Sequence, residues 1–196
     1  RVPVGRLDTG MQMAELEELS ISQDGRWLAL SVFQTDEMGP VLEMFYSSEA
    51  YLYDLQQETF IPLDQNTMIS GAAVRGNGAS KAASLTADGR YAVFASQADN
   101  LVTGDRNAKA DVFLLDRQTG LLEMVSVASD GAQGDGPSGA FVETLGSWGE
   151  NISISADGRF VAFISSAGSL AMDANIHCSD RGWFPCRLLL IRDRQE

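Results

Sequence analysis

The chain of 196 residues is 44% hydrophobic and 21% charged, which is the composition of an ordinary globular protein. Its formal net charge of -13 opposes binding to nucleic-acid phosphates and to anionic membrane surfaces, so neither is an expected partner. No apolar run approaches the roughly 20 residues that a helix needs to span a bilayer, and we expect no membrane insertion.

The N-terminal residues 1–4 form a candidate edge strand, because Pro3 lacks the amide hydrogen that an inner strand must donate. The strand and the polar residues after it are similar to residues 124–133. We therefore predict that the chain begins with the last strand of a repeat unit. Because Arg1 is not a methionine, we interpret the chain as processed or excised.

Alternating apolar and polar residues predict short strands throughout the rest of the chain. The first unit has predicted strands at 19–22, 27–33, 51–55 and 59–63; the second at 83–86, 91–96, 111–116 and 121–127; the third at 151–155, 160–165 and 187–192. The third unit thus lacks the fourth strand that the other two contain.

An Asp-Gly-Arg turn followed by an aromatic residue occurs once in each unit, and Asp-Gly between apolar strands is a strong hairpin signal. The turn glycines are separated by 64 positions (25 to 89) and by 69 positions (89 to 158). The aspartates before them, Asp24, Asp88 and Asp157, are predicted to be hairpin residues rather than a catalytic set.

A repeat of this length with four strands is typical of a β-propeller, in which four-stranded antiparallel blades surround a central channel. The predicted fold class is therefore all-β, with three blades in this chain; separate four-stranded sandwich units are the alternative. Residues 1–18 supply a fourth strand and connector, 19–81 blade 1, 82–150 blade 2, and 151–196 a blade 3 without its fourth strand.

Three motifs resemble the TolB-like, WD-like β-propeller repeats of bacterial periplasmic and extracellular proteins. They are Ser-Ile-Ser-Ala-Asp-Gly-Arg-Phe-Val-Ala-Phe at 153–163, Asp-Asn-Leu-Val-Thr-Gly-Asp-Arg-Asn at 99–107 with Asp-Val-Phe at 111–113, and Asp-Arg-Gln-Thr-Gly at 116–120. The resemblance implies a non-enzymatic scaffold or binding module in an extracellular or periplasmic assembly. The alternative is the propeller of a hydrolase or peptidase whose catalytic domain lies outside this chain.

Three blades are too few for a closed propeller, which typically has 4 to 8. One hypothesis is a homodimer in which each chain supplies half of a six-bladed ring and residues 1–4 complete the partner's third blade. The other is that the chain is part of a longer propeller.

The loop from Asp105 through Asn107 to Asp111 carries three oxygen-bearing side chains in a spacing that suits a hard cation such as Ca²⁺. The competing interpretation is an Asx-turn network, in which these side chains bond nearby backbone amides. No other cofactor is expected.

Cys178 and Cys186 flank a loop containing Gly182 and Pro185, which is short enough to close a disulfide. A disulfide would fit an oxidising, extracellular or periplasmic compartment. Two reduced cysteines and a partial zinc site that includes His177 are the alternatives.

Aromatic residues in the predicted loops are candidates for a partner-binding surface, because loops on a rigid scaffold often carry binding residues. They are Phe45, Tyr46, Trp148, Trp183 and Phe184. Packing of these side chains onto their own blades is the alternative, and carbohydrate binding is a further functional hypothesis. No Gly-x-Ser-x-Gly nucleophile motif occurs, and we expect no enzymatic activity from these residues.

Overall fold

A computed structural model describes residues 14–35, 46–66, 73–139, 152–171 and 187–195. The described residues form three antiparallel sheets in series, with one small two-stranded pair between the first two. No helix within these ranges is both long enough and apolar enough to cross a membrane.

Blade 1 contains four strands in sequential order, each paired with the next. They are β1 (Ala14–Ile21), β2 (Trp27–Thr35), β3 (Tyr46–Asp54) and β4 (Thr59–Pro62). The connector to blade 2 holds a short pair, β5 (Gln65–Asn66) and β6 (Val74–Arg75).

Blade 2 repeats this order with β7 (Ser80–Leu85), β8 (Tyr91–Ser96), β9 (Asp111–Asp116) and β10 (Leu121–Met124). Blade 3 contains β11 (Ile152–Ile154), β12 (Phe160–Ser165) and β13 (Leu188–Asp193), with a single 3-10 turn at Gly168–Leu170. Within the described residues β13 has no further strand on its outer edge.

The first strands of blades 1 and 2 begin earlier than the alternation pattern predicted. Each contains an irregularity in register, between Glu17 and Leu19 in β1 and between Lys81 and Ser84 in β7. An extra residue at such a bulge moves the following side chains to the opposite face, so the period-two pattern breaks although the strand continues.

Consecutive blades pack face to face, and we call the side of a blade toward the next blade its forward face and the opposite side its backward face. The forward face of blade 1 and the backward face of blade 2 share one apolar core, which includes Leu52, Phe94 and Phe113. The forward face of blade 2 and the backward face of blade 3 share a second core, which includes Val112 and Phe163. The middle strands β8 and β9 are therefore buried on both sides.

This serial packing confirms the predicted all-β propeller architecture, with three blades in the chain. Separate sandwich units would each enclose their own core, whereas here blade 2 contributes one face to each of two cores. Each blade depends on its neighbours for burial, as in other repeat folds.

Candidate functional site

Each Asp-Gly turn is closed by its own side chains. In the first turn, Asp24 accepts hydrogen bonds from the Ser22 hydroxyl and from the Arg26 amide, and the hydroxyl makes the larger contribution to lowering the pKa of Asp24. The same two bonds form in the other turns, at Thr86, Asp88, Arg90, Ser155, Asp157 and Arg159. The geometry of the three aspartates is thus that of hairpin residues.

The arginine of each turn also reaches across to the aspartate that ends the third strand of its blade. The pairs are Arg26–Asp54, Arg90–Asp116 and Arg159–Asp193, with closest nitrogen–oxygen distances of 2.8, 2.7 and 2.6 Å. Guanidinium hydrogen bonds lower the pKa of Asp54 and of Asp116 to about 2 each. These carboxylates also accept hydrogen bonds from backbone amides of the turn after the third strand. They therefore stabilise the end of that strand and are not arranged as general bases.

In blades 1 and 2 the aromatic residue after the turn arginine covers the turn glycine of the next blade. A Cβ atom added to Gly89 would lie 2.5 Å from Trp27 Cδ1, so the indole ring rests directly on this turn. Arg26 stacks on the same ring at 4.7 Å from its centroid, and Arg117 of blade 2 stacks at 3.8 Å. Arg117 Nε also donates to the Gly89 carbonyl, 2.9 Å away.

The contact between blades 2 and 3 repeats this arrangement. Tyr91 covers Gly158, where an added Cβ would lie 2.6 Å from the ring. Arg90 and Arg194 stack on the tyrosine at 4.7 and 4.5 Å, and Arg194 donates to the Gly158 carbonyl. We call this set of an aromatic ring, the next blade's turn glycine and the next blade's arginine the interlock.

Backbone hydrogen bonds link the same turns in one direction. The Gln23 amide donates to the Ala87 carbonyl at 2.8 Å, and the Ala87 amide donates to the Ala156 carbonyl at 3.2 Å. The turns of blades 1 and 2 thus each donate to the turn of the following blade. The sequence predicted the turns, but the contacts between turns depend on how the blades rotate against each other and were not predicted.

A partly buried ion cluster joins blade 1 to the start of blade 2. Arg75 Nη2 lies 2.8 Å from Glu49 Oε2 and 3.3 Å from Asp64 Oδ1, while the Tyr51 hydroxyl donates to Glu49 and the Ser80 hydroxyl donates to Asp64. Burial raises the pKa of Asp64, and the charge of Arg75 opposes that shift. These residues are scattered along the sequence, so no motif indicated the cluster. Its ion pairs and hydrogen bonds connect blade 1 to the first strand of blade 2.

The predicted cation loop is formed as a hydrogen-bonded turn between β8 and β9. Asn107 Oδ1 accepts from the Lys109 amide at 3.0 Å, and Asn107 Nδ2 donates to Asp111 Oδ2 at 2.8 Å. Asp111 Oδ1 accepts from the Ser126 hydroxyl at 2.6 Å. By contrast, both carboxylate oxygens of Asp105 are buried without a hydrogen-bond partner.

The two carboxyl groups of this loop are held in an unfavourable environment. Burial raises the pKa of Asp111 to about 6, against the hydrogen bonds from Ser126 and Asn107, and the charge of Asp105 adds to the shift. Burial also raises the pKa of Asp105. Within the described ranges neither carboxyl group forms an ion pair, and no cluster of three His, Cys, Asp or Glu side chains has metal-binding geometry.

A mainly apolar groove of about 390 Å³ lies between blades 2 and 3, beside the outer edge of β13. It is lined by Val125, Val127, Ala128, Ser129, Phe163, Leu170, Ala171, Leu190, Ile191 and Arg192. Leu190, Ile191 and Arg192 are consecutive residues of β13 that line it. Because successive side chains of a strand point to opposite faces, the groove lies along the edge of this strand.

Most of the predicted partner-binding and disulfide residues lie outside the described residues. This applies to Phe45, Trp148, Trp183, Phe184, Cys178 and Cys186, and also to residues 1–4. Tyr46 is the first residue of β3, where its backbone pairs with Thr35.

No protein-family model matches the chain. No curated protein matches it either.

Several solved structures with similar backbones are peptidases or parts of them. An uncomplexed acylaminoacyl peptidase from Pyrococcus horikoshii is 11% identical over 96% of this chain and 24% of its own, with a TM-score of 0.49. The β-propeller domain of the trilobed protease from Pyrococcus furiosus is 8% identical over 78% of this chain and 34% of its own, with a TM-score of 0.45. Dipeptidyl peptidase 4 from Porphyromonas gingivalis is 20% identical over 93% of this chain and 22% of its own, with a TM-score of 0.43. This chain therefore spans between 22% and 34% of the length of these chains.

Proposed function

We propose that the chain is a TolB-like propeller module that packs against or binds other parts of a protein assembly and holds no catalytic centre of its own. The observation that supports this most directly is the engagement of the recurring charged side chains. Each turn aspartate is hydrogen-bonded within its turn, and each turn arginine is paired with a strand-end aspartate. These groups stabilise the blades and offer no pairing of a nucleophile with a base.

The module is either a free-standing scaffold or the accessory propeller of a hydrolase. The solved structures named above are peptidases, which agrees with an accessory propeller at least as well as with a scaffold. A Gly-x-Ser-x-Gly nucleophile elbow in polypeptide adjoining this chain would identify the hydrolase form.

The test of the catalytic part of this proposal is an activity measurement on the chain itself. We expect no cleavage of fluorogenic peptide substrates and no covalent labelling by a fluorophosphonate, which reacts with activated serines. Cleavage or labelling that disappears in a His177→Ala variant would contradict the proposal, because His177 is the single histidine available as a general base.

An extracellular or periplasmic location is part of the same proposal. It is supported by the TolB-like motifs and by the closely spaced Cys178 and Cys186. Thiol titration of the denatured, unreduced protein should find no free thiol, and reduction should release two. Two free thiols in protein purified from an oxidising compartment would contradict the disulfide.

We propose Ca²⁺ as the ligand of the loop that contains Asp105 and Asp111. The proposal is supported by the unpartnered Asp105 oxygens and by the raised pKa of Asp111, because a cation would stabilise both ionised groups. Calorimetric titration with Ca²⁺ after chelation should release or absorb heat, and Ca²⁺ should raise the melting temperature.

The matched variants for this titration are Asp105→Asn and Asp130→Asn. Asp130 is an exposed aspartate in a neighbouring turn, where it accepts a hydrogen bond from the Ala132 amide. Asp105→Asn should abolish the Ca²⁺ response and Asp130→Asn should preserve it. Absence of heat and of any melting-temperature change in the unaltered protein would leave the Asx-turn network as the complete description of the loop.

A further inference from the structure

We propose that Asn77 is a site of spontaneous deamidation, and that its conversion to an acid loosens the connector between blades 1 and 2. The proposal rests on the hydrogen bonds of this asparagine, on the amide of the glycine that follows it, and on an equivalent connector between blades 2 and 3. It does not depend on the proposed function, and all of its residues lie within the described ranges.

The connectors that lead into blades 2 and 3 are built alike. Both contain the sequence Gly-x-Gly-x-Ser, at 76–80 and at 134–138. The hydroxyl group of the closing serine lies at hydrogen-bond distance from the hydroxyl of a serine at the end of a second strand. The pairs are Ser80–Ser96 and Ser138–Ser165, with oxygen–oxygen distances of 2.9 and 2.8 Å. The two connectors can therefore be compared position by position.

The second glycine of each connector leaves no room for a side chain. A Cβ added to Gly78 would lie 2.6 Å from the carbonyl carbon of Gln97, and one added to Gly136 would lie 2.9 Å from that of Ser166. Glycine is thus required at both positions by the close approach of two backbones. Because the residue before Gly78 is asparagine, the packing retains an Asn-Gly dipeptide, and no other asparagine of the sequence precedes a glycine.

Asn77 binds the loop that follows the second strand of blade 2. Its Oδ1 accepts a hydrogen bond from the Asp99 amide at 3.0 Å, and its Nδ2 donates to Asp99 Oδ1 at 2.7 Å. Its backbone amide donates to Asn100 Oδ1 at 3.0 Å. We call these three hydrogen bonds the Asn77 latch. Asn77 and Asp99 are both exposed, so water reaches the side-chain amide.

The amide of Gly78 differs from the amides of the turn glycines. Deamidation begins when the amide nitrogen of the next residue attacks the side-chain carbonyl carbon of asparagine. The turn glycines donate this hydrogen to the carbonyl three residues earlier; they are Gly25, Gly89, Gly131 and Gly158. Within the described residues the Gly78 amide donates no hydrogen bond. The Asp99 amide also stabilises the negative charge that develops on Asn77 Oδ1 during the attack.

The reaction needs only water as a co-reactant. The Gly78 nitrogen gives its proton to solvent and forms a bond to Asn77 Cγ. The bond between Cγ and Nδ2 breaks, and this nitrogen takes a proton from water and leaves as ammonia. Water then opens the five-membered succinimide at either of its two carbonyl groups. The products are aspartate or isoaspartate at position 77, and no group is oxidised or reduced.

The acid product cannot form the Asn77 latch. It lacks the Nδ2 donor, and it places a carboxylate against that of Asp99, where like charges repel. The equivalent connector shows what a carboxylate needs here, because Asp135 Oδ1 accepts from the Ser169 amide at 3.1 Å and from its hydroxyl at 3.0 Å. These donors lower the pKa of Asp135, and the backbone amide contributes most. In blade 2 the side chain that faces this position is itself a carboxylate.

The experiment is incubation of the folded chain at mildly alkaline pH, followed by peptide mapping in a mass spectrometer and enzymatic methyl labelling of isoaspartate. We expect the mass gain of an amide-to-acid conversion at Asn77, increasing with pH. Asn77→Gln should lose it, since attack on the longer side chain would have to form a six-membered ring. Asn100 and Asn107, which precede Leu101 and Ala108, are internal controls in the same sample and should stay unchanged.

The consequence for the connector is measured on variants that reproduce and reverse the product. Asn77→Asp should lower the melting temperature by about 2–4 °C, the shift expected for one lost hydrogen bond in a chain of this size. Adding Asp99→Asn again sets an amide opposite a carboxylate, and it should restore most of the loss. Gln97→Glu is the matched control, because it adds the same charge to the same loop at an exposed side chain outside the latch.

The outcomes separate a reactive asparagine from a protected one, with circular dichroism confirming that each variant is folded. Acid formation at Asn77 that Asn77→Gln abolishes, together with rescue of Asn77→Asp by Asp99→Asn, supports the proposal. Acid formation only after unfolding in urea overturns it, because the latch then protects the side chain. Deamidated protein that melts at the same temperature as the fresh chain overturns the loosening of the connector.

Discussion

Two positions with the same backbone conformation have opposite surroundings in this chain: the turn glycine of blade 2 and the turn glycine of blade 1. Gly89 has φ +64° and lies beneath Trp27, whereas Gly25 has φ +71° and has open space where a side chain would begin. The Asp-Gly-Arg sequence of the turn is the same in both blades, so the difference follows from whether a preceding blade covers the turn within the described part of the chain. The repeat therefore encodes an interlock that is completed only between neighbours.

The largest expected effect comes from removing the ring at a covered and at an uncovered interlock. Trp27→Ala should lower the free energy of unfolding by about 3–5 kcal/mol, because it empties the space between Gly89 and two arginines. Phe160→Ala should lower it by less, about 1–2 kcal/mol, since Phe160 is 40% exposed. Urea denaturation of both variants under monomeric conditions measures the difference, and equal losses would contradict the comparison.

Alanine at the two glycines separates backbone strain from steric overlap. Both variants place a Cβ in the left-handed region, at a cost of about 1–2 kcal/mol. Gly89→Ala also forces the new Cβ to 2.5 Å from Trp27, and overpacking of this kind adds about 1–3 kcal/mol. Gly25→Ala lacks this second contribution. The melting temperature of Gly89→Ala should therefore be lower than that of Gly25→Ala. The reverse order would contradict the contact between Trp27 and Gly89.

Arg117→Leu gives blade 2 the residue that blade 1 carries naturally at this position. The change removes the cation at 3.8 Å from the Trp27 ring and the hydrogen bond to the Gly89 carbonyl. We expect a loss of about 1–2 kcal/mol in the free energy of unfolding. Combining it with Trp27→Ala in a double-mutant cycle should show strong coupling, and additive losses would contradict the stacking contact.

The Arg–Asp pairs should respond to acid alike in covered and uncovered blades. The folded pKa of Asp54 and of Asp116 is about 2, below the usual value of 3.8. Their stabilising contribution is therefore complete above about pH 4 and is lost as the pH falls toward 2. Asp54→Asn and Asp116→Asn should each flatten the dependence of melting temperature on pH in this window, and should do so to a similar extent. An unchanged slope would contradict ionised pairs.

The sequence predicted the parts of the fold that depend on local pattern. β8, β9 and β12 were predicted to the residue, because strict alternation or a continuous apolar run defines both ends. The two-residue strands β5 and β6 were missed, since two residues carry no period. The early starts of β1 and β7 were missed because a bulge interrupts the alternation.

The contacts between blades could not be predicted from the sequence. Asp-Gly-Arg indicated a turn, but nothing local indicates that Arg26 reaches Asp54 or that Trp27 rests on Gly89. Such contacts depend on the rotation of one sheet against the next. The aromatic residue after each turn and the aspartate at the end of each third strand recur with the same period, and this shared period was a signal that sequence reasoning did not use.

The one-directional series of backbone hydrogen bonds makes three equivalent amides natural reporters of exchange with solvent. The Gln23 and Ala87 amides donate to carbonyls of the following blade, so their hydrogens exchange with deuterium only when neighbouring blades separate. The Ala156 amide is at the equivalent place, and it exchanges rapidly wherever the next turn is absent. The ratio of its exchange rate to that of Ala87 therefore measures, in a single spectrum, how much protection a turn gains from the turn of a following blade.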